Sequence, residues 1–366
     1  MDTDKPEVRS VLTLAVLAVI IGGLFVAGRV VPAPALLTSE RRAPAALPSL
    51  TVDSVLSAQY MHGVENWASD TLPLREPLRT LHAASVLGLF AQTDKAGLYL
   101  GDSGLGRFAP VNSESVTQAA AKIAQVAQGL GGLHLYYGLI PDKSWYAGRY
   151  LPGFDPGTAE AILAERLTGL TPISLTDTLA AGDFYRTDLH WDQTKLGPVV
   201  DTLGAAMGFT GNMSGFTQQL AGQFAGAYAG QWALPVAPEP LAYLQNPGLT
   251  ATYLNPATQT MEPGPVYDPT ALTGVDPYNL FLGGPQPLVQ LTNANATTDR
   301  ELFLFRDSFG SSLAPLLAGT YAKVTLIDLR YINAKLLDQF VDFTPGSDAL
   351  FLYSSQILNN SSTLLV

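Results

Sequence analysis

The chain has 366 residues, enough for one large domain or two smaller ones; 47% of them are hydrophobic and only 14% are charged. A formal charge of −11 with no basic stripe argues against a nucleic-acid partner, because an acidic surface repels phosphates. The absence of cysteine excludes disulfides and thiolate metal sites.

From the N-terminus, SVLTLAVLAVIIGGLFVAG (10–28) is an uncharged run bounded by Arg9 and Arg29. At about 1.5 Å per residue it would extend roughly 28 Å, near the thickness of a bilayer core. A secretory signal has a shorter apolar region and a small-residue cleavage site, a role that Ala33-Pro34-Ala35 would fill. We read residues 1–29 as a cytoplasmic tip and single-pass signal anchor, with the body extracytoplasmic, or secreted if the signal is cleaved. RVVPAPALLTSERRAPAALPSL, to residue 50, reads as a Pro/Ala-rich linker, and 51–366 as the folded domain.

That domain alternates helical and strand signals, as an α/β fold does. The spacing of Val116, Ala120, Ile123, Val126 and Leu130 predicts a helix over 114–132, stopped by Gly131 and Gly132. LHLYYGLIP (133–141) is a buried strand followed by the loop PDKSWYAGRYLPG. Helices follow at 158–170 and 191–208, the latter with Pro198 near its start. LFLF (302–305), KVTLIDL (323–329) and ALFLYSS (349–355) are apolar on both faces, as in a parallel sheet covered by helices. Residues 209–300, rich in Gly, Pro, Asn and Thr, read as an irregular insertion over the sheet.

At FLFRDSFGSSLAPLL (303–317) a strand gives way to a helix at Ser308. Such a turn exposes its central side chain and aims backbone N–H groups at a developing oxyanion, yet a serine at a helix start is also an ordinary N-cap. A serine nucleophile needs a base. His134 lies in an apolar strand and reads as a core residue; His62 and His82 read as structural or surface groups. His190 differs, because Asp188 stands two residues before it and can orient an imidazole. No second histidine lies nearby, so no metal is expected there. GDSG (101–104) reads as a hairpin turn rather than a second nucleophile. Lys143, Tyr146, Trp191, Arg306 and Asp307 are candidate substrate contacts; a plain loop fits Lys143 and Tyr146 equally, and structural ion pairing fits Arg306 and Asp307.

These blocks together resemble the DHHW family of bacterial surface proteins and, behind it, the SGNH-hydrolase-like proteins of alginate O-acetylation. The family's T-D-x-H-W block followed by a helix corresponds to TDLHW (187–191), and its K/R-D-S-F-G block to RDSFG (306–310). NWASDTLPLRE (66–76), GLIPDKSWY (138–146), FAGAYA (224–229), YNLFLGGPQPLV (278–289) and IDLRY (327–331) complete the order. Leu189 departs from the histidine that the family name implies there. The resemblance implies a three-layer α/β/α SGNH-hydrolase-like domain with a mostly parallel sheet, and a triad of Ser308 as nucleophile, His190 as base and Asp188 as its orienter. It implies acetyl transfer to hydroxyls of a cell-surface polysaccharide, with a membrane-bound acyltransferase supplying the acetyl group and no cofactor. A carbohydrate esterase of the same fold and a non-catalytic carbohydrate-binding or assembly protein are the alternatives.

Overall fold

The three runs that are apolar on both faces form neighbouring strands, and this fixes the centre of the molecule. The computed structural model describes residues 6–30, 34–147, 153–296 and 298–366. The N-terminal tip at 1–5, residues 31–33 with the first position of the candidate cleavage site, and 148–152 of the loop after the first buried strand lie outside the described residues.

The chain divides into two units, the first made of Met1–Lys95 with Gly230–Pro235 and the second of Ala96–Ala229 with Val236–Val366. The second begins with a hairpin of β1 (Leu98–Gly101) and β2 (Gly104–Arg107), so GDSG is the predicted turn. Its strands then run β3 (His134–Ile140), β4 (Thr171–Ser174), β5 (Thr217–Phe224), β6 (Glu239–Gln245), β7 (Leu249–Asn255), β8 (Thr260–Gly264), β9 (Leu288–Asn293), β10 (Glu301–Arg306), β11 (Lys323–Ile327) and β12 (Asp348–Ser354). Eight of them make one sheet in the order β4-β3-β12-β10-β11-β9-β7-β8. The five from β4 to β11 pair in parallel, and β9, β7 and β8 continue the sheet antiparallel.

Side chains alternate across a strand, so β10 and β12 feed two cores. Leu302, Leu304, Leu350 and Leu352 pack with the helices Gly197–Met207 and Phe309–Leu317. Phe303, Phe305, Phe351 and Tyr353 pack with Ser113–Gln128 and Pro156–Arg166 on the other side. Helices thus cover both faces, which is why every residue of β12 is buried. Phe305 and Phe351, paired in register, stack at 4.3 Å between ring centres. Each such side chain contributes about 1.5–3 kcal/mol by leaving water.

The segment 209–300, read as irregular, in fact carries five strands. Three of them extend the main sheet, and β5 and β6 form a separate antiparallel pair. They were hard to see because antiparallel strands near an edge keep one side in water: β8 has no buried residue. The helix predicted over 191–208 is broken at Leu196 into a short turn, Gln193–Lys195, and Gly197–Met207, with Pro198 in the first turn. His134 stands at the open end of β3, exposed and paired with Asp348 at 3.3 Å, not in the core as its apolar neighbours suggested.

In the first unit, the helix Pro6–Val30 contains one stretch, Arg9–Gly28, long and apolar enough to cross a membrane, with none of it buried. The segment read as a linker is pinned by charge. Arg42 donates two hydrogen bonds to the buried carboxylate of Asp70, at 2.6 and 2.8 Å, and Ala45 N–H adds a third at 2.8 Å. Asp70, Arg75 and Glu76 all belong to the NWASDTLPLRE block, which gives that block a structural purpose.

Candidate active site

Strand β10 lies between β12 and β11, so its C-terminal end opens at the middle of the parallel part of the sheet, where α/β folds place their ligands. The turn that follows is fixed by Asp307. Its Oδ1 accepts the N–H of Phe309 at 3.0 Å, and its Oδ2 accepts the N–H of Ser354 at the end of β12 at 2.7 Å. Asp307 is therefore the helix cap, and Ser308 is not: Ser308 has helical angles, φ −60° and ψ −27°, and its side chain caps nothing. Gly310 is required beside it, because a Cβ there would overlap the Arg306 side chain.

The Ser308 hydroxyl turns instead to His190 Nε2, 2.8 Å away. His190 Nδ1 lies 2.6 Å from Asp188 Oδ1. An ionised carboxylate only accepts, so Nδ1 carries the proton and Nε2 is left to accept from serine. Asp188 is fully buried, and its Oδ1 also takes the His190 N–H at 3.0 Å while Oδ2 takes the Ala227 N–H at 2.6 Å. The imidazole is held flat against the Tyr278 ring, 3.7 Å between centres and 7° from parallel. Tyr278 in turn donates to Ser312 Oγ at 2.8 Å, where Trp191 Nε1 also donates at 2.8 Å.

The loop carrying Asp188 and His190 is closed by one bridge between Phe184 and Trp191, with the Tyr185 N–H donating to the His190 carbonyl at 3.0 Å, and side chains add to its hold. Glu239 accepts the N–H groups of Arg186 and Thr187, at 2.7 and 2.6 Å, and the Thr187 hydroxyl. Lys143, buried, donates to the carbonyls of Tyr185 at 2.7 Å and Asp188 at 3.1 Å. Burial pulls the Lys143 ammonium down to about 8, with Asp188 and Glu239 opposing the shift. Gly226 permits the close approach of FAGAYA, since a Cβ there would overlap Asp188 Cβ and the Thr187 carbonyl. Leu189 is half-buried against the core and takes no part in these hydrogen bonds.

The structure thus brings Asp188, His190 and Ser308 together. It does not bring the five candidate substrate contacts to an open surface. Trp191, Arg306, Asp307 and Lys143 are buried, and the hydrogen bonds they make are to the protein itself. Tyr146 is half-buried with its hydroxyl on the Thr176 carbonyl. Arg306 pairs loosely with Asp328 at 3.5 Å, leaves Nε and Nη2 without a partner among the described residues, and is held below its usual pKa by burial. Tyr278, Glu239, Gly226 and Ala227 were not singled out as site residues, although FAGAYA and YNLFLGG marked three of them. Glu239 carried no local signal at all. The N–H groups of Phe309, Gly310 and Ser311 are already engaged by Asp307 and Ser308, so the Ser308 N–H is the donor in this turn without a partner among the described residues. No group of three or more His, Asp or Glu suited to a metal occurs among the described residues.

No family model and no curated protein matches the sequence. Among solved structures the chain is similar to a DHHW family protein from Eubacterium siraeum, at 17% identity and a TM-score of 0.60 over 75% of this chain and 97% of that one. It is similar to PatB1 of Bacillus cereus, at 16% identity and TM-score 0.55 over 74% and 99% of the two chains, and to PatB1 bearing a sulfonyl adduct, at 15% and 0.54 over 71% and 95%. The O-acetyltransferase domain of Pseudomonas putida AlgJ also matches, at 16% identity and TM-score 0.43 over 72% and 93%. The relation to DHHW proteins read from the motifs is thus borne out among the structural neighbours. At such identities the likeness establishes a shared mixed α/β fold built on a large, mostly parallel sheet.

Proposed function

We propose that the chain is a membrane-anchored, extracytoplasmic acyl-transfer enzyme of SGNH-hydrolase-like type that moves acetyl to hydroxyls of a cell-surface polysaccharide. One observation carries the reading: the unbroken chain from Asp188 through His190 to the uncapped hydroxyl of Ser308. In this scheme His190 Nε2 takes the serine proton as Oγ attacks the acyl carbonyl, and the Ser308 N–H receives the oxyanion. Collapse passes the proton to the departing group and leaves acetyl on Ser308. His190 then deprotonates an acceptor hydroxyl, whose oxygen attacks the ester and frees the serine. Asp188 holds the imidazole and balances its charge while it is protonated. The sulfonyl adduct on PatB1 supports the reading by analogy, because sulfonylation marks a nucleophile. The polysaccharide acceptor and a membrane-bound acyltransferase as donor rest on the sequence resemblance, and the N-terminal apolar helix supports the anchor.

The test is to incubate full-length protein with an activated acetyl ester and map acetyl by mass spectrometry. Acetyl on Ser308 in the parent protein, absent from Ser308→Ala and His190→Ala, is the expected result. Equal labelling in all three would sink the acyl-enzyme. Adding a polysaccharide then separates transferase, which yields acetylated sugar, from esterase, which yields acetate alone.

A further inference from the structure

In the first unit, the helix Arg75–Ala84 and the turn that continues it, Ser85–Leu89, are amphipathic in the reverse of the usual sense. At about 100° per residue, Arg75, Arg79 and Ala83 share one face, and Leu78 and Leu81 a different one, with Leu74 just before the first turn. The charged face points inward. Arg75 is 11% exposed and bonded to Glu40 and Glu76; Arg79 is 18% exposed and bonded to Glu76, Ser39 and the Gly230 carbonyl of the same unit. The leucine face points out: Leu74, Leu81, Leu89 and Phe90 are each more than three-fifths exposed, and Leu78 is 38% exposed. Between Pro77 and Thr93 the only charged residue is Arg79, which is turned away. A contiguous apolar face of this kind on a soluble surface marks an interaction site.

What covers it follows from where it starts. Gly28, at the end of the Arg9–Gly28 stretch, passes close to Pro73, the residue before Leu74: a Cβ at Gly28 would stand 3.6 Å from Pro73 Cδ. The leucine face therefore begins where the candidate span ends, at the level of the lipid headgroups. We propose that Leu74, Leu78, Leu81, Leu89 and Phe90 form an interfacial surface that lies on the lipid bilayer and holds the first unit against it. Leucine and phenylalanine side chains, on a helix whose two arginines are already paired with Glu40 and Glu76, enter the headgroup–acyl boundary by burying apolar area, with little help from anionic lipid. This rests on the reading of Arg9–Gly28 as a membrane anchor.

The absence of cysteine makes the test direct. Single cysteines at Leu78, Leu81, Val16 and Leu220 would carry an environment-sensitive fluorophore in the full-length protein, reconstituted into phosphatidylcholine nanodiscs with or without nitroxide-bearing lipid. Val16 reports the span, and Leu220 on β5 sets the background. The expected result is blue-shifted emission at positions 78 and 81, lost on adding nitroxide lipid, and restored to water-like emission when Leu74→Glu is combined with the label at 78. Quenching at 16 with water-like emission at 78 and 81 overturns the proposal and leaves the anchor standing. No quenching at 16 removes the anchor and the proposal together. A blue shift at 78 and 81 that nitroxide lipid does not quench also overturns it, and assigns the face to a protein, a second copy of this chain included.

Discussion

Ser308 stands on a strand-to-helix junction flanked by buried residues, whereas Asp188 and His190 stand on a loop outside the main sheet, closed by one isolated bridge between Phe184 and Trp191. The serine side is fixed by backbone geometry that the central sheet imposes. The histidine side is fixed by a collar of side chains and foreign N–H groups: Glu239, Lys143, Ala227 and the stacked Tyr278. Two ways of holding a candidate catalytic group thus meet across one 2.8 Å hydrogen bond. Changes in the collar should alter activity more than stability, and changes at the junction should do the reverse.

The largest effect is expected at the joint itself. Asp188→Asn keeps the size of the side chain but allows the wrong imidazole tautomer, and should lower the rate of Ser308 acetylation by about 10⁴-fold, against a stability loss of only about 1–3 kcal/mol for the buried N–H that the new NH2 group cannot accept. Stopped-flow acylation beside a thermal melt would show whether rate and stability separate in this way. Next comes Gly226→Ala, where the added methyl must push Asp188 aside. A shift of about 1 Å in the loop should cost about 100-fold in rate, together with about 1–3 kcal/mol of overpacking. If activity there survives while stability falls, the collar is not what positions His190.

Glu239→Gln is milder, since the amide oxygen still accepts from one of the two N–H groups, while its NH2 group, a donor, leaves the other without an acceptor in this partly exposed position. A loss of about 10-fold in kcat/KM, carried by kcat, would fit a weakened hold on the loop; an effect confined to KM would make Glu239 a substrate contact instead. The smallest effect is expected at Lys143. Its pKa of about 8 lies below the ordinary 10.5, so between those values the folded chain binds fewer protons than the unfolded one. Stability attributable to this group should therefore rise with pH from about 8 to about 10.5 and carry its full penalty below 8. Lys143→Met should flatten that rise in a series of melts across pH.

The same contrast explains what could be read beforehand. The junction was legible because its elements announce themselves: LFLF has no polar face to lose, and R-D-S-F-G breaks a greasy run abruptly. D-x-H was legible as chemistry, since a carboxylate two residues from an imidazole suggests a use. The collar was not, because its members lie far along the chain from the loop they hold: Ala227 is 39 residues from Asp188 and Glu239 is 53 from Arg186. No periodicity records such a contact. Arg306, Asp307, Trp191 and Lys143 suggest substrate contacts because polar and aromatic residues stand beside a motif, with a structural role as the alternative for Arg306, Asp307 and Lys143; the structure buries all four. The strands between 209 and 300 escaped for a similar reason, their outward faces being as polar as any loop.

Every residue of the Phe309–Leu317 helix is buried, from its first turn to its last. Such a helix cannot fray into solvent, and its amides should exchange with deuterium only when the whole sheet opens. On the proposed function, the serine should therefore sit in a slowly exchanging layer, and any breathing that admits an acceptor should come from the histidine loop and the segments that grip it.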